Sequence, residues 1–160
     1  MEQSKYDELI REIANNLDMK FDDSRCYLNV TRMEVIFLTD SLFEQEILPE
    51  DGDELVFIEP LSSPESFRIM EDFAEGVRDE KQQERLFRML SRSHPFSRFK
   101  DEIYDSGLEN EWFAYRDERM KDFARDWMKE NQVEYIGDHL VCNSKHSFSF
   151  DREGYMEEYF

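Results

Sequence analysis

The segment SSPESFRIMEDFAEGV, residues 62–77, marks the point at which the chain changes from strand-like to helical patterning. Ser62 or Ser63 can cap a helix that starts at Pro64, because a helix needs no N–H from its first residue. The apolar residues of the segment recur at helical spacing and share one face: Phe67, Met70, Phe73, Ala74 and Val77. The segment therefore predicts an amphipathic helix at the start of a helical region.

Three further helices are predicted after this segment. Residues 80–92 place Leu86, Phe87 and Leu90 on one side. Pro95 breaks that pattern and starts the next one, which ends at Ser106-Gly107 and carries Phe96, Phe99 and Ile103. The longest helix is predicted over residues 109–131, with an apolar stripe of Trp112, Met120, Phe123, Ala124 and Trp127.

A helix and three strands are predicted before the helical region, and a hairpin is predicted after it. Upstream, residues 4–19 predict a helix with the stripe Tyr6, Leu9, Ile10, Ile13 and Leu17; strands follow at residues 26–30, 34–39 and 55–58. Downstream, residues 133–136 and 139–142 flank Gly137-Asp138, which suits a two-residue hairpin turn. We expect an α+β fold: an N-terminal helix, a small antiparallel sheet, a four-helix segment and a C-terminal hairpin. Residues 1–160 are expected to form one domain, with 143–160 either an edge strand or a mobile tail.

The charge of the chain limits its partners. It has 39 acidic and 20 basic residues and a net charge of −19, which repels nucleic acid and anionic membranes and attracts basic proteins.

The longest apolar run, residues 35–38, is too short to span a bilayer. The N-terminus has no secretory pattern, and Cys26 and Cys142 form no disulfide framework. We therefore expect a cytoplasmic protein; its oligomeric state stays open.

Several short motifs resemble a known family. They are ESFRIMEDF (65–73), FSRFKDEI (96–103) and EWFAYRDERM (111–120), preceded by YLN (27–29) and EVI (34–36). In this order and spacing they are similar to the bacterial Uncharacterised Protein Family 0158, over residues 20–136. The resemblance supports the fold but implies no reaction, because the family's role is unknown. Family members often carry Thr-Gly where this chain has Arg32-Met33, so Met33 predicts strain or a different turn type.

An arginine interrupts the apolar stripe of the longest helix. Arg116 lies four residues after Trp112 and four before Met120, so its charge must be paired. Glu71 and Asp72 are natural partners. Two interpretations stay open: an anion or carboxylate site organised by Arg68 and Arg116, or a structural ion pair between helices.

A basic stretch interrupts the acidic sequence. Residues 85–100 contain no acid and five bases: Arg85, Arg88, Arg92, Arg98 and Lys100. With Phe96 and Phe99 nearby they could bind phosphates or stack bases, or pair with Glu118, Asp122 and Asp126 of the longest helix. The candidate binding residues are Arg68, Glu71, Asp72, Arg98, Lys100, Arg116 and Asp117.

Catalytic and metal-binding patterns have little support. His139, Cys142 and His146, with Cys26, have the side chains of a zinc site but poor spacing, so we expect no metal and no cofactor. Carboxylates such as Asp51 and Asp53 are interpreted as a solvated shell, and no phosphate loop or nucleophile elbow occurs. We expect a non-catalytic protein-binding or regulatory module with a basic protein partner. The alternatives are a metal-assisted phosphoryl or nucleotide hydrolase that uses Arg68 or Arg116, and a nucleic-acid mimic.

Overall fold

The computed structural model describes residues 2–17, 24–39 and 48–154 and confirms the α+β class. Contacts divide the chain into two compact units: Met1–Pro60 with Lys121–Phe160, and Leu61–Met120. We call them the strand unit and the helical unit. That the chain forms one domain stays a prediction. No helix within the described residues has both the length and the apolar content needed to cross a membrane.

Within the described residues, the strand unit contains the helix α1 (Glu2–Asn16) and residues 121–130 of the longest helix. Its strands are β1 (Ser24–Asn29), β2 (Glu34–Thr39), β3 (Glu54–Phe57), β4 (Val133–Ile136), β5 (His139–Cys142) and β6 (Phe148–Ser149). Four of the strands form an antiparallel sheet in the order β2-β1-β3-β6, and β4 pairs with β5. Helix α1 buries Leu9, Ile10 and Ile13, and Leu17, the residue after its end, is buried as well, as the apolar stripe predicts. The predicted helical residues 18 and 19 lie outside the described part of the chain.

The turn between β1 and β2 contains Met33 in a backbone conformation that is unfavourable for every residue except glycine. Asn29 pairs with Glu34, so the loop between them is residues 30–33. Met33 has a φ of 55°, a left-handed conformation that crowds the Cβ atom of any residue except glycine. The strain expected at Met33 is therefore present in the turn.

The second hairpin matches its sequence closely. Ile136 pairs with His139, which leaves the predicted two-residue turn. Gly137 has a φ of 65°, whereas Asp138 has no positive φ, so the turn requires glycine only at its first position. The C-terminal segment then adds β6 to the edge of the sheet, where Leu55 pairs with Phe148. Mobility of residues 143–160 stays a prediction, and residues 155–160 lie outside the described part.

The helical unit contains α2 (Ser63–Glu75), α3 (Glu80–Leu90), α4 (Pro95–Asp105) and the first part of α5 (Glu109–Glu130). Ser62 caps α2: its side chain accepts from the backbone of Glu65, whose carboxylate accepts from the backbone of Ser62. The core is an aromatic cluster. The Phe73 ring lies 5.3 Å from Trp112, and Phe99 lies 5.1 Å from the same indole.

The burial of Phe99 corrects one expectation. Its side chain is fully buried, so it is a core residue and has no face available for stacking on a base. Phe96 is half-buried and meets Phe67 edge to face at 6.4 Å. Only one of the two phenylalanines considered for stacking therefore lies at the surface.

Candidate functional site

A groove runs along the first two turns of α2 in the helical unit. It has a volume of about 600 Å³ and is lined by Ser63, Pro64, Glu65, Phe67, Arg68, Glu71 and Phe96. Pro64, Phe67, Arg68 and Glu71 recur at three- and four-residue spacing, so one face of α2 forms a wall. Phe96 comes from the first turn of α4. The opposite face of α2 buries Ile69, Met70 and Phe73, which holds the groove-lining face outward.

Two charged side chains of the groove have no partner in the part of the chain that the structure describes. Arg68 is exposed and Glu71 is half-buried. Within the described residues, neither side chain makes an ion pair or a hydrogen bond. A half-buried carboxylate without a donor loses hydration and gains little in return. Arg68 and Glu71 are therefore available to a ligand, and the structure brings these two predicted residues together.

Asp72, the third predicted residue on α2, is occupied by an arginine that the sequence argument did not consider. Its Oδ2 atom accepts from Nη1 of Arg119 at 2.8 Å. The same Nη1 donates to the hydroxyl of Tyr115 at 2.7 Å, and the guanidinium lies 5.7 Å from the centre of that ring. Burial acts to lower the pKa of Arg119, but the bonds to Asp72 and Tyr115 outweigh it and raise the pKa. Asp72 thus belongs to a contact between α2 and α5.

Arg116 and Asp117 lie together on α5, away from the lining of the groove. Nη1 of Arg116 is 4.0 Å from Oδ1 of Asp117, and 27% of the Arg116 side chain is exposed. Arg68 and Arg116 therefore do not line one common groove. The anion site organised by Arg68 and Arg116 therefore stays a prediction, because this groove contains only the first of the two arginines.

The basic stretch has local contacts within the helical unit. Nε of Arg85 bonds to Oε1 of Glu102 at 2.6 Å, which joins α3 to α4, so Arg85 is paired with α4 instead of the longest helix. Asp122 on that helix bonds to Arg125. Nε of Arg98 donates to the carbonyl of Ser93 at 2.7 Å, and Lys100 is exposed on α4.

The side chains considered for zinc do not form a cluster. Nδ1 of His139 lies 3.3 Å from Asp138, and Sγ of Cys142 lies 3.8 Å from the carbonyl of Asn131. Residues 2–17, 24–39 and 48–154 contain no group of three or more His, Cys, Asp and Glu side chains that could hold a metal ion.

A buried polar cluster lies in the strand unit. Asp53 is 5% exposed and Asn29 is fully buried. Oδ2 of Asp53 accepts from Nδ2 of Asn29, Nε of Arg32 and the backbone of Glu50, each at 3.0 Å. The solvated role given to Asp53 from sequence is therefore wrong. The local sequence does not distinguish Asp53 from Asp51, because two of the three donors come from residues 21 and 24 positions away.

These elements define a protein with a four-strand antiparallel sheet, a four-helix region and a groove on the first of those helices. The chain belongs to the uncharacterised protein family UPF0158, which it matches over residues 5–149, a longer span than the resemblance of the motifs. A UPF0158 protein of Pseudomonas aeruginosa is 28% identical over 129 residues, which cover 78% of this chain and 83% of that protein. No solved structure matches the chain.

Proposed function

We propose that this chain is a non-catalytic protein-binding module with an acidic surface, and that the groove along α2 binds a basic segment of its partner. The observation that carries the proposal is the pairing of an aromatic groove with an unneutralised carboxylate. Phe67 and Phe96 supply apolar surface, and Glu71 stands half-buried beside them without a donor among the described residues.

This combination suits a lysine or arginine side chain. Its aliphatic stem can lie on the rings of Phe67 and Phe96 while its cationic end reaches the carboxylate of Glu71. The bond to Glu71 would then replace the hydration that the carboxylate has lost. Arg68 is exposed, so its guanidinium can stay in water or receive an acidic group of the partner.

The overall charge supports a basic partner. Of the 39 acidic residues, 25 lie outside residues 61–120, against only 10 of the 20 basic residues. Such a field speeds the approach of a basic protein and weakens as salt is added. Contacts within the groove would then decide which basic segment is held.

Photo-crosslinking tests the proposal. A photoreactive phenylalanine analogue replaces Phe67, and the protein is irradiated in a bacterial lysate at low salt and at high salt. We expect a discrete adduct at low salt, and less of it in the Glu71→Gln background and at high salt. The matched control carries the analogue at Phe148, an aromatic residue of the strand unit that is 43% exposed. Absence of an adduct at position 67, or identical adducts from both positions, would count against the groove.

The hydrolase alternative predicts that the protein binds a divalent metal ion and a nucleotide, which calorimetry can detect. Titration of the protein with Mg²⁺ or Mn²⁺ and a nucleotide would release heat, and Arg68→Ala would abolish it. If heat is released and no protein adduct forms at position 67, the hydrolase becomes the better account of the groove.

A further inference from the structure

Two aromatic side chains of the helical unit face water next to each other. Tyr104 on α4 is 59% exposed and Phe113 on α5 is 45% exposed. Their ring centres lie 6.4 Å apart with the planes at 65°. The neighbouring residues Ile103 and Trp112 are buried, so each helix turns its next residue outward. The two rings form one continuous apolar surface, which is the kind of feature that marks interaction sites.

Three carboxylates lie within about one helical turn of this pair along the sequence. Asp101 lies one turn before Tyr104 on α4, Asp105 follows Tyr104, and Asp117 lies one turn after Phe113 on α5. All three are exposed, and Oδ1 of Asp117 lies 4.0 Å from Nη1 of Arg116. Two cations lie equally close along the helices: Lys100, one turn before Tyr104 on α4, and Arg116, one turn after Phe113 on α5. We call Tyr104, Phe113, Asp101, Asp105 and Asp117 the aromatic–acidic surface.

A second carboxylate feature lies one helical turn before Phe113. The Oε2 atom of Glu109 is buried and accepts no hydrogen bond within the described residues. Glu109 is half-buried in the first turn of α5, so it is a negative group that is partly withdrawn from water. It strengthens the attraction of this side of α5 for a cation.

We propose that the aromatic–acidic surface binds an arginine side chain from the partner protein. A guanidinium stacks on an aromatic face and at the same time donates paired hydrogen bonds to a carboxylate, which a lysine ammonium does less well. This inference rests on the proposed function, because it assigns a second contact to the same basic partner. The surface is separate from the groove, since Tyr104 and Phe113 do not line it.

Peptide binding to the whole chain tests the inference. The probe is a fluorescein-labelled hexapeptide of alternating glycine and arginine, followed by fluorescence anisotropy at low salt. We expect Phe113→Ala to weaken binding about fivefold, the scale of one cation–π contact, and Asp117→Asn to weaken it as well. The lysine version of the peptide should bind less tightly, and a citrulline version should not bind. Phe57→Ala, which removes a 42% exposed aromatic from the strand unit, is the matched control and should bind as wild type does.

Two outcomes overturn the inference. In the first, Phe113→Ala and Phe57→Ala bind the arginine peptide equally well. In the second, sedimentation shows that the chain self-associates and that Phe113→Ala abolishes this, so that a second copy occupies the surface. Failure of the inference is distinguishable from failure of the proposed function. If Phe113→Ala keeps the adduct formed at position 67, the function stands without this contact.

Discussion

The amide of Asn29 donates a 3.0 Å hydrogen bond to Oδ2 of Asp53, which lies 24 residues away in the sequence. The carbonyl oxygen of the same amide accepts from the backbone of Arg32, and the Arg32 side chain bonds to both Asp53 and Glu50. Asn29 thus ties the turn between β1 and β2 to the segment that precedes β3. The first hairpin and the third strand are held in register by this cluster.

Substitution of Asn29 or of Asp53 should destabilise the protein. We expect Asn29→Ala and Asp53→Asn each to lower the free energy of unfolding by about 1–3 kcal/mol, because each leaves a buried polar group with an unmade hydrogen bond. Urea denaturation measures the change. Glu59→Gln, at an exposed position just after β3, is the control and should stay within about 0.5 kcal/mol of wild type. If the two substitutions lower the free energy of unfolding no more than Glu59→Gln does, the cluster does not stabilise the fold.

The same cluster should make stability depend on pH. Burial by itself raises the pKa of Asp53, but hydrogen bonds from Asn29, the Glu50 backbone and Arg32 outweigh it, so the pKa lies below its ordinary value of 3.8. Because the unfolded chain binds this proton more tightly, the contribution of Asp53 is complete above the ordinary pKa. It is lost as the pH falls through the lowered one.

Urea denaturation between about pH 6 and pH 2 checks this dependence. The stability advantage of wild type over Asp53→Asn should shrink as the pH falls through the acidic end of that range. The curve of Glu59→Gln should run nearly parallel to that of wild type. An advantage over Asp53→Asn that stays constant with pH would mean that Asp53 does not titrate as described.

The two cysteines should differ in reactivity. Burial raises the pKa of Cys26 to about 12, so its reactive thiolate is scarce at neutral pH. Cys142 is half-buried, near the carbonyl of Asn131. We expect a thiol reagent at pH 8 to modify one thiol quickly in the folded protein and both in urea. Cys142→Ser should remove the fast phase, and Cys26→Ser should leave it intact; the reverse assignment would contradict the burial of Cys26.

Replacement of Met33 by glycine should stabilise the protein. A left-handed φ costs a residue with a Cβ atom about 1 kcal/mol, which glycine does not pay. Met33→Gly should therefore raise the free energy of unfolding, whereas Met33→Ala, which keeps the Cβ atom, should not. Thermal denaturation of both variants separates the backbone effect from loss of the side chain. Equal stability of the two would show that the turn has relaxed around Met33.

The aromatic core of the helical unit should be sensitive to truncation. Phe99→Ala should cost about 3–5 kcal/mol, because the side chain is fully buried against Trp112 and Phe73. Phe96→Ala, at the half-buried groove position, should cost clearly less. Denaturation of both proteins compares them. Similar costs would mean that the groove is closed in solution.

Local patterning predicted most of the secondary structure. The apolar stripe of α1, the proline and capping serine of α2, and the two-residue turn at Gly137 all depend on neighbours within a few positions. Their outcome is therefore set by helix and turn geometry alone. The expectation of strain or a different turn type at Met33 came instead from the resemblance, because family members often carry glycine at this position. The motifs at residues 65–73, 96–103 and 111–120 also sufficed to indicate the family.

The partners of charged residues were decided by the tertiary structure. The sequence marked Arg116 as an arginine that needs a partner and Asp72 as a carboxylate near it, but Arg119 is the residue that bonds to Asp72. Arg116 and Arg119 lie within one turn of α5, so the rotation and packing of the helix choose between them. A shift of one residue rotates a side chain by about 100° around the helix. Sequence spacing cannot resolve which arginine meets α2.

The acidic residues show most clearly which features follow from the sequence and which depend on the tertiary structure. The sequence by itself determined that the chain is strongly acidic and that most of its carboxylates must stay in water, because a core cannot take up so many charges. Only the folded structure decided that Asp53 is buried against Asn29 while Asp51 stays exposed. It also placed Glu71 in an aromatic groove, where the carboxylate has no hydrogen bond or ion pair with any residue that the structure describes. The burial and pairing of a carboxylate depend on groups that folding brings together from distant parts of the chain. The residues next to it in the sequence do not show which of these groups it will contact.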